Sequence, residues 1–205
     1  HVRSLAFATG IKTAKRELTV ICACGDGDGA TIGGNHLIHA ARRNVDITVI
    51  LMNNCNYGTT GGQYSSTTPE GSITATRVYG HIERGLDVCS LGIPAGATYV
   101  ARATCDNVLQ AKTYIVEGVR HKGFSLIEVL SPCPTHCGKN NSYARPSDMI
   151  RALKEVTYPV SRADSMSDEE RKGKLALGRL VCDDTQQDYS TKYDALRNLA
   201  CKEEN

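Results

Sequence analysis

The chain has 205 residues, 40% apolar and 22% charged, enough to bury the core of one α/β domain with appendages. Its 24 basic and 22 acidic side chains leave a formal net charge of +2, which excludes a disordered charged tail and a nucleic-acid binder working by net charge. The longest apolar runs, 20–23 and 47–52, fall short of the roughly 18 residues of a spanning helix, so no membrane partner is expected.

Residues 4–15 carry small side chains at Ala6, Ala8 and Gly10 and end in basic residues, the pattern of a closely packed first helix. The stretch 18–24 is apolar almost throughout, as expected of a parallel strand covered on both faces, and runs into Gly25-Asp26-Gly27-Asp28-Gly29. Apolar Ile32, Leu37, Ile38 and Ala41 recur at helical spacing over 30–43, with Asp28 as the N-cap candidate. Residues 47–52 give a second buried strand that ends at Asn53-Asn54, completing a right-handed βαβ unit. Residues 56–72 are rich in Gly, Ser and Thr and read as a linker. Further strands are expected at 98–103 and 124–130, separated by a helix over 106–120. The pattern predicts a doubly wound, mostly parallel sheet over residues 1–160, with its ligand at the carboxyl ends of the strands. Residues 161–174 turn polar and read as a linker to a C-terminal arm, within 161–205, carrying a short helix over 193–201.

A glycine-rich turn between a buried strand and a helix offers backbone N–H groups to a diphosphate. Gly25-x-Gly27-x-x-Ala30 nominally fits the dinucleotide fingerprint, but two observations oppose it. The end of the second strand holds Asn53 and Asn54 in place of the ribose-binding acid, and Asp26 and Asp28 would repel a diphosphate by several kcal/mol at about 4 Å. A divalent cation removes the conflict. Mg²⁺ takes about six oxygen ligands, and Asp26 can supply a carboxylate, Asn54 an amide oxygen and Asn56 a backbone carbonyl, with the diphosphate completing the shell.

Gly25-Asp26-Gly27 followed by Asn53-Asn54 resembles the thiamine diphosphate motif. Gly33-Gly34-Asn35-His36, Tyr57-Gly58-Thr59-Thr60-Gly61-Gly62-Gln63 and Ser131-Pro132-Cys133-Pro134-Thr135 resemble the beta subunits of 2-oxoacid:ferredoxin oxidoreductases, the 2-oxoglutarate branch most closely. The resemblance covers roughly residues 1–160 and implies a sheet of the thiamine-diphosphate-binding type. It implies an enzyme that oxidatively decarboxylates a 2-oxoacid, with coenzyme A taking the acyl group and electrons leaving for ferredoxin. The cofactors implied are thiamine diphosphate and Mg²⁺, and the partner is an alpha, or alpha and gamma, subunit in a hetero-oligomer. The acid that activates the aminopyrimidine lies on a partner in this family, so no catalytic residue is assigned here. Gly25, Gly27, Asp28, Gly29, Thr60, Gln63 and His1 are the candidate cofactor contacts, and Asp26, Asn54 and Asn56 the candidate Mg²⁺ ligands.

The resemblance also implies a four-iron four-sulfur cluster, held in the family by a Cys-x-x-Cys pair, a further upstream Cys and the Cys of the Ser-Pro-Cys-Pro-Thr loop. Of these this chain contains Cys133, so a cluster is expected only with amino-terminal cysteines from elsewhere. The chain opens on His1 without an initiator Met, and is expected not to be an intact translation product. Nine cysteines, an odd number and thinly spread, read as reduced thiols of a cytoplasmic protein. His36, His39, His81, His121 and His136 show no metal-ligand spacing and read as surface or packing residues. Thr59 stands where the family commonly has a larger apolar residue, which puts the shape of the substrate pocket in doubt. Two alternatives stay open, a non-oxidative thiamine diphosphate enzyme and a truncated subunit that binds cofactor without redox chemistry.

Overall fold

The computed structural model describes residues 3–203. In chain order the elements are α1 (Ser4–Ala14), β1 (Ile21–Gly25), α2 (Gly34–Arg42), β2 (Thr48–Asn53), a small hairpin of β3 (Asn56–Tyr57) and β4 (Gln63–Tyr64), α3 (Val88–Ala95), β5 (Tyr99–Thr104), α4 (Val108–Arg120), β6 (Ser125–Leu130), α5 (Pro146–Glu155), β7 (Thr157–Pro159), α6 (Asp168–Arg171), β8 (Leu175–Cys182) and α7 (Tyr189–Glu203). Six strands form the central sheet in the order β1-β2-β6-β5-β8-β7. β1, β2, β6 and β5 run parallel, and β8 pairs antiparallel with β5.

β5 and β6 are buried on both faces because helices cover both, whereas β1, expected to be covered on both faces, lies at the sheet edge and leaves Ile21, 50% exposed, and Ala23 open to solvent. On one face α1, α2 and α3 bury Leu5, Leu37, Ala41 and Val88 against Cys24, Val49, Leu51, Val100 and Leu126. On the other, Tyr114 and Ile115 of α4 pack on Tyr99, Ala101 and Ile127. Close approach on both sides needs glycine: a Cβ on Gly92 of α3 would stand 2.7 Å from Leu126 Cδ2, and one on Gly118 of α4 2.6 Å from Ile127 Cδ1. Each fully buried Leu or Ile contributes roughly 1.5–3 kcal/mol, so these layers hold the strand ends in register. Among the described residues no helix is long and apolar enough to cross a membrane.

Three local expectations are corrected. The helix read over 30–43 begins at Gly34; Gly27–Ile32 instead wind a wider π-helical turn. Asp28 is therefore not an N-cap, and its carboxylate accepts a hydrogen bond from Ser4 Oγ at 3.0 Å. The segment 56–72 is no linker, since Ser65, Thr67 and Thr68 are buried and their hydroxyls bond into the sheet end. β8, from the stretch read as arm, joins the central sheet beside β5, and α7 begins at Tyr189 rather than near residue 193.

Candidate cofactor and metal site

β1 and β2 pair with Gly25 opposite Met52, so Asp26 emerges beside Asn53 and Asn54 at the carboxyl edge of the sheet. Asp26 is 1% exposed. Its Oδ2 accepts from Ser65 Oγ at 2.5 Å and lies 2.8 Å from Thr67 Oγ1, while its Oδ1 accepts from the Asn54 N–H at 3.2 Å. These partners are all neutral. Burial pushes the Asp26 carboxyl above its usual range, and the two hydroxyls and the Asn54 N–H offset that only in part. An anionic carboxylate held by neutral donors alone gains what it lacks from a bound cation.

The Asn ligands are positioned by the turn that follows β2. Cys55 adopts a left-handed φ of +59°, and Asn54 Oδ1 accepts from the Asn56 N–H at 3.2 Å, which folds 54–56 back toward Asp26. Asn56 is buried, its Oδ1 has no hydrogen-bond partner, and its Nδ2 has none but the Cys133 thiol beside it. Buried amide oxygens left unpaired are costly, so this one marks a place for a polar ligand. A Cβ on Gly58 would stand 3.5 Å from Asn56 Oδ1, 3.7 Å from Asn54 Nδ2 and 4.0 Å from Cys133 Sγ, which shows how closely these groups converge. The oxygens of Asp26, Asn54 and Asn56 are hard donors suited to Mg²⁺.

The glycines of the π-helical turn are dictated by contact. A Cβ on Gly27 would lie 2.4 Å from the Tyr57 ring, whose hydroxyl donates to Gly27 O at 3.0 Å. A Cβ on Gly29 would meet Leu51 Cδ1 at 2.5 Å and Cys24 Sγ at 2.7 Å. Gly25 closes β1, and Asp28 is turned toward α1 through Ser4. Thr60 and Gln63 lie in and beside the β3–β4 loop and bond each other, Thr60 Oγ1 to Gln63 Oε1 at 2.7 Å and Gln63 Nε2 to Thr60 O at 2.8 Å. His1 lies outside the described residues.

Cys133 follows β6 and opens a second π-helical turn, Pro134–Gly138. Burial opposes ionisation of its thiol, but the His136, Cys137 and Thr135 N–H groups and the nearby Asn56 amide outweigh it and lower the pKa. Burial raises the thiols of Cys55 and Cys137 instead. Cys133 is thus the thiol of this loop that ionises most readily. Among the described residues these three cysteines do not gather into a metal-holding group, so the chain's own thiols make no complete cluster site.

Several supporting residues escape a reading of the sequence. Thr67 Oγ1 also lies 2.9 Å from Asn53 Oδ1, and Asn53 Nδ2 donates to Glu128 Oε1 at 2.7 Å. Glu128 Oε2 accepts from Arg102 Nε at 2.6 Å, and Arg102 pairs in turn with Asp87. Arg102 and Glu128 are direct partners in the β5–β6 register, each 1% exposed. A buried polar chain thus underlies Asp26. The available signal was one charge in the middle of each of two apolar strands, Ala101-Arg102-Ala103 and Ile127-Glu128-Val129.

Residues 1–129 match the family model of the thiamine pyrophosphate enzyme, C-terminal TPP binding domain. Over 181 residues, 88% of this chain, the sequence is 50% identical to the 2-oxoglutarate synthase subunit KorB of Methanocaldococcus jannaschii, 67% of whose length is covered. This chain belongs to the beta subunits of the 2-oxoacid:ferredoxin oxidoreductases. A 2-oxoacid:ferredoxin oxidoreductase subunit beta of Saccharolobus solfataricus is 44% identical over 136 residues, 66% of this chain and 45% of that relative. The 2-oxoglutarate:ferredoxin oxidoreductase of Magnetococcus marinus, solved with 2-oxoglutarate, coenzyme A and succinyl-CoA bound, superposes with a TM-score of 0.84 at 31% identity, covering 98% of this chain and 68% of that one. The chain spans about two thirds of the length of the KorB relatives it matches. As a beta subunit with the TPP binding domain, it carries the thiamine diphosphate site of a multi-subunit oxidoreductase.

Proposed function

We propose that this chain anchors thiamine diphosphate and Mg²⁺ in a complex that oxidatively decarboxylates 2-oxoglutarate to its acyl-coenzyme A, with ferredoxin as electron acceptor and an alpha, or alpha and gamma, subunit as partner. The single observation that carries the reading is a buried Asp26 carboxylate with exclusively neutral partners, next to the unpartnered Asn56 Oδ1. Asp26, Asn54 and Asn56 hold the cation, and the Gly25–Gly29 turn, with Asp28 at its flank, receives the diphosphate. Thr60, Gln63 and His1 are assigned to the cofactor's surroundings by their place in the family pattern. When bound, thiamine diphosphate supplies the nucleophilic carbon and the electron sink for decarboxylation.

The chain's own residues bind and orient. Ser65 and Thr67 fix the Asp26 carboxylate by donating to one oxygen, which leaves its other oxygen shared with the Asn54 N–H alone. The Tyr57 ring packs against Gly27, and its hydroxyl donates to Gly27 O, which holds that side of the turn in place. Cys133 is the cluster ligand this chain contributes, and the rest come from cysteines outside it. The relatives' names and the ligands of the Magnetococcus marinus enzyme favour 2-oxoglutarate as substrate, and a cytoplasmic location goes with ferredoxin-linked chemistry.

The test is to purify the full-length subunit alone and with its partner, and to assay 2-oxoacid-dependent ferredoxin reduction in the presence of coenzyme A. Activity should require the complex and be greatest with 2-oxoglutarate. Turnover by the beta subunit alone, or a complex inactive toward every 2-oxoacid, would overturn the proposal.

A further inference from the structure

We propose that His121, Cys182 and Asp184 form a second metal site, specific for a zinc-class transition-metal ion, that ties the C-terminal segment to the end of α4. The site lies at the amino-terminal side of β5, at the opposite edge of the sheet from Asp26, and is independent of the thiamine diphosphate reading.

Asn44 sets the direction of the hydrogen bonds around His121. Asn44 Nδ2 donates to Gln187 O at 3.2 Å and Asn44 Oδ1 accepts from the Phe124 N–H at 2.7 Å, which fixes the orientation of the amide. Thr98 Oγ1 lies 2.9 Å from that same Oδ1, so the single hydroxyl proton of Thr98 goes there. The Thr98 oxygen is then left to accept, and the group facing it at 2.7 Å is His121 Nε2. His121 is therefore held with a proton on Nε2, which fixes the ring and turns Nδ1 outward as the nitrogen open to a metal in place of the proton it shares with Asp184. A ligating imidazole is prepared in this way, its second nitrogen committed to a hydrogen bond that sets tautomer and ring plane.

Nδ1 faces Asp184 Oδ1 at 2.9 Å, and Cys182 Sγ lies 3.8 Å from Asp184 Oδ2. All three ligand atoms stand within 4.8 Å of one another. Zn–N and Zn–O bonds of about 2.0 Å and a Zn–S bond of about 2.3 Å in a tetrahedron need ligand separations of roughly 3.3–3.8 Å. The adjustment falls on Cys182 and Asp184, which are exposed, while the buried ring stays in place. The scaffold is fixed on both sides: His121 N–H donates to Glu117 O at 2.9 Å at the end of α4, and the Asp183 N–H donates to Thr98 O at 2.8 Å. Imidazole nitrogen, thiolate sulfur and one carboxylate together suit Zn²⁺ over Mg²⁺ or Ca²⁺, and solvent access leaves a fourth position to water. Binding displaces two protons to solvent, the Cys182 thiol proton and the proton that bridges His121 Nδ1 and Asp184 Oδ1 without metal. None of this shows in the sequence, where His121 stands 61 residues before Cys182.

The test compares the full-length subunit with its Cys182→Ser and Asp184→Asn variants by anaerobic Co²⁺ titration and by Zn²⁺ competition against a chromophoric chelator. The wild type should bind one more equivalent of either ion than Cys182→Ser, with a thiolate-to-cobalt charge-transfer band that the variant lacks in the difference spectrum. Asp184→Asn should weaken this equivalent on the order of tenfold or more. Both variants alter exposed side chains, and unchanged thermal melts without metal will confirm that they fold. Equal stoichiometry and equal spectra in wild type and Cys182→Ser would overturn the proposal and leave His121 and Asp184 as an ion pair only.

Discussion

Replacing Asp26 by Asn should stabilise the cofactor-free protein while disabling its site. The carboxylate is 1% exposed and has three neutral donors. Burying an ion costs several kcal/mol, and charge-assisted hydrogen bonds return about 1.5–3 kcal/mol each, against about 1 for neutral ones. The upward direction of the Asp26 pKa shows that these donors do not return the whole cost, and the isosteric amide incurs none of the remainder because Ser65 and Thr67 can turn their hydroxyls to accept. The melting temperature should therefore rise, by about 2–4 °C for every kcal/mol of that remainder in a chain of this size. The pH dependence gives the sign. Asp26 has a folded-state pKa raised above the ordinary 3.8, so the native state holds the proton longer than the unfolded chain, and stability falls as pH rises from 3.8 through the folded value. The advantage of Asp26→Asn should therefore be largest at neutral pH and vanish below pH 3.8. Thermal melts of both proteins across pH, without Mg²⁺ or cofactor, measure it. A variant less stable than wild type at neutral pH would refute the picture of a carboxylate waiting for a cation.

Gly27→Ala should cost about 1–3 kcal/mol by overpacking against the Tyr57 ring and lower cofactor affinity, whereas Gly34→Ala, with nothing within 4 Å of the new Cβ, should be neutral or slightly stabilising; equal melts for the two would contradict the contact. Arg102→Met leaves the buried Glu128 and the half-buried Asp87 without their cation and should cost about 3–5 kcal/mol by denaturant unfolding, with Arg102→Met/Glu128→Gln recovering part of it; a loss below about 1 kcal/mol would show that the pair does not support the sheet edge. Cys133→Ser in the assembled complex should lower iron content or change the cluster's paramagnetic resonance signal while thiamine diphosphate binding persists. An unchanged spectrum would make Cys133 a plain loop thiol.

β1, β2, β5 and β6 were legible because each is a nearly continuous apolar run, and all four appear within a few residues of their expected bounds, although β1 at the sheet edge is covered on one face alone. Motif spacing singled out Asp26, Asn54 and Asn56, and the parallel register of β1 and β2 sets the Asn54 N–H against the Asp26 carboxylate. The segment 56–72 was misread because hydroxyl-rich composition looks solvated, whereas Ser65 and Thr67 are polar in order to donate to a buried carboxylate about 40 residues away. β8 was missed because it is an antiparallel strand of intermediate burial, broken by Gly178 at φ +140° and by Arg179, without the apolar run that marked the others. The turn after β1 reads as helix by periodicity alone; Gly33, whose Cβ would lie 2.1 Å from Asp28 O, marks where the wider turn gives way to α2.

Calorimetric titration of thiamine diphosphate into the full-length subunit, with Mg²⁺ and with excess chelator, for wild type and Asp26→Asn, tests the site most directly. A unit charge pair at about 4 Å is worth about 4 kcal/mol at an effective dielectric of 20, so losing either the cation or its carboxylate should weaken binding on the order of 10³-fold. Affinity that survives both the chelator and the substitution would contradict the assignment of Asp26 as the anchor of a cation-bridged diphosphate.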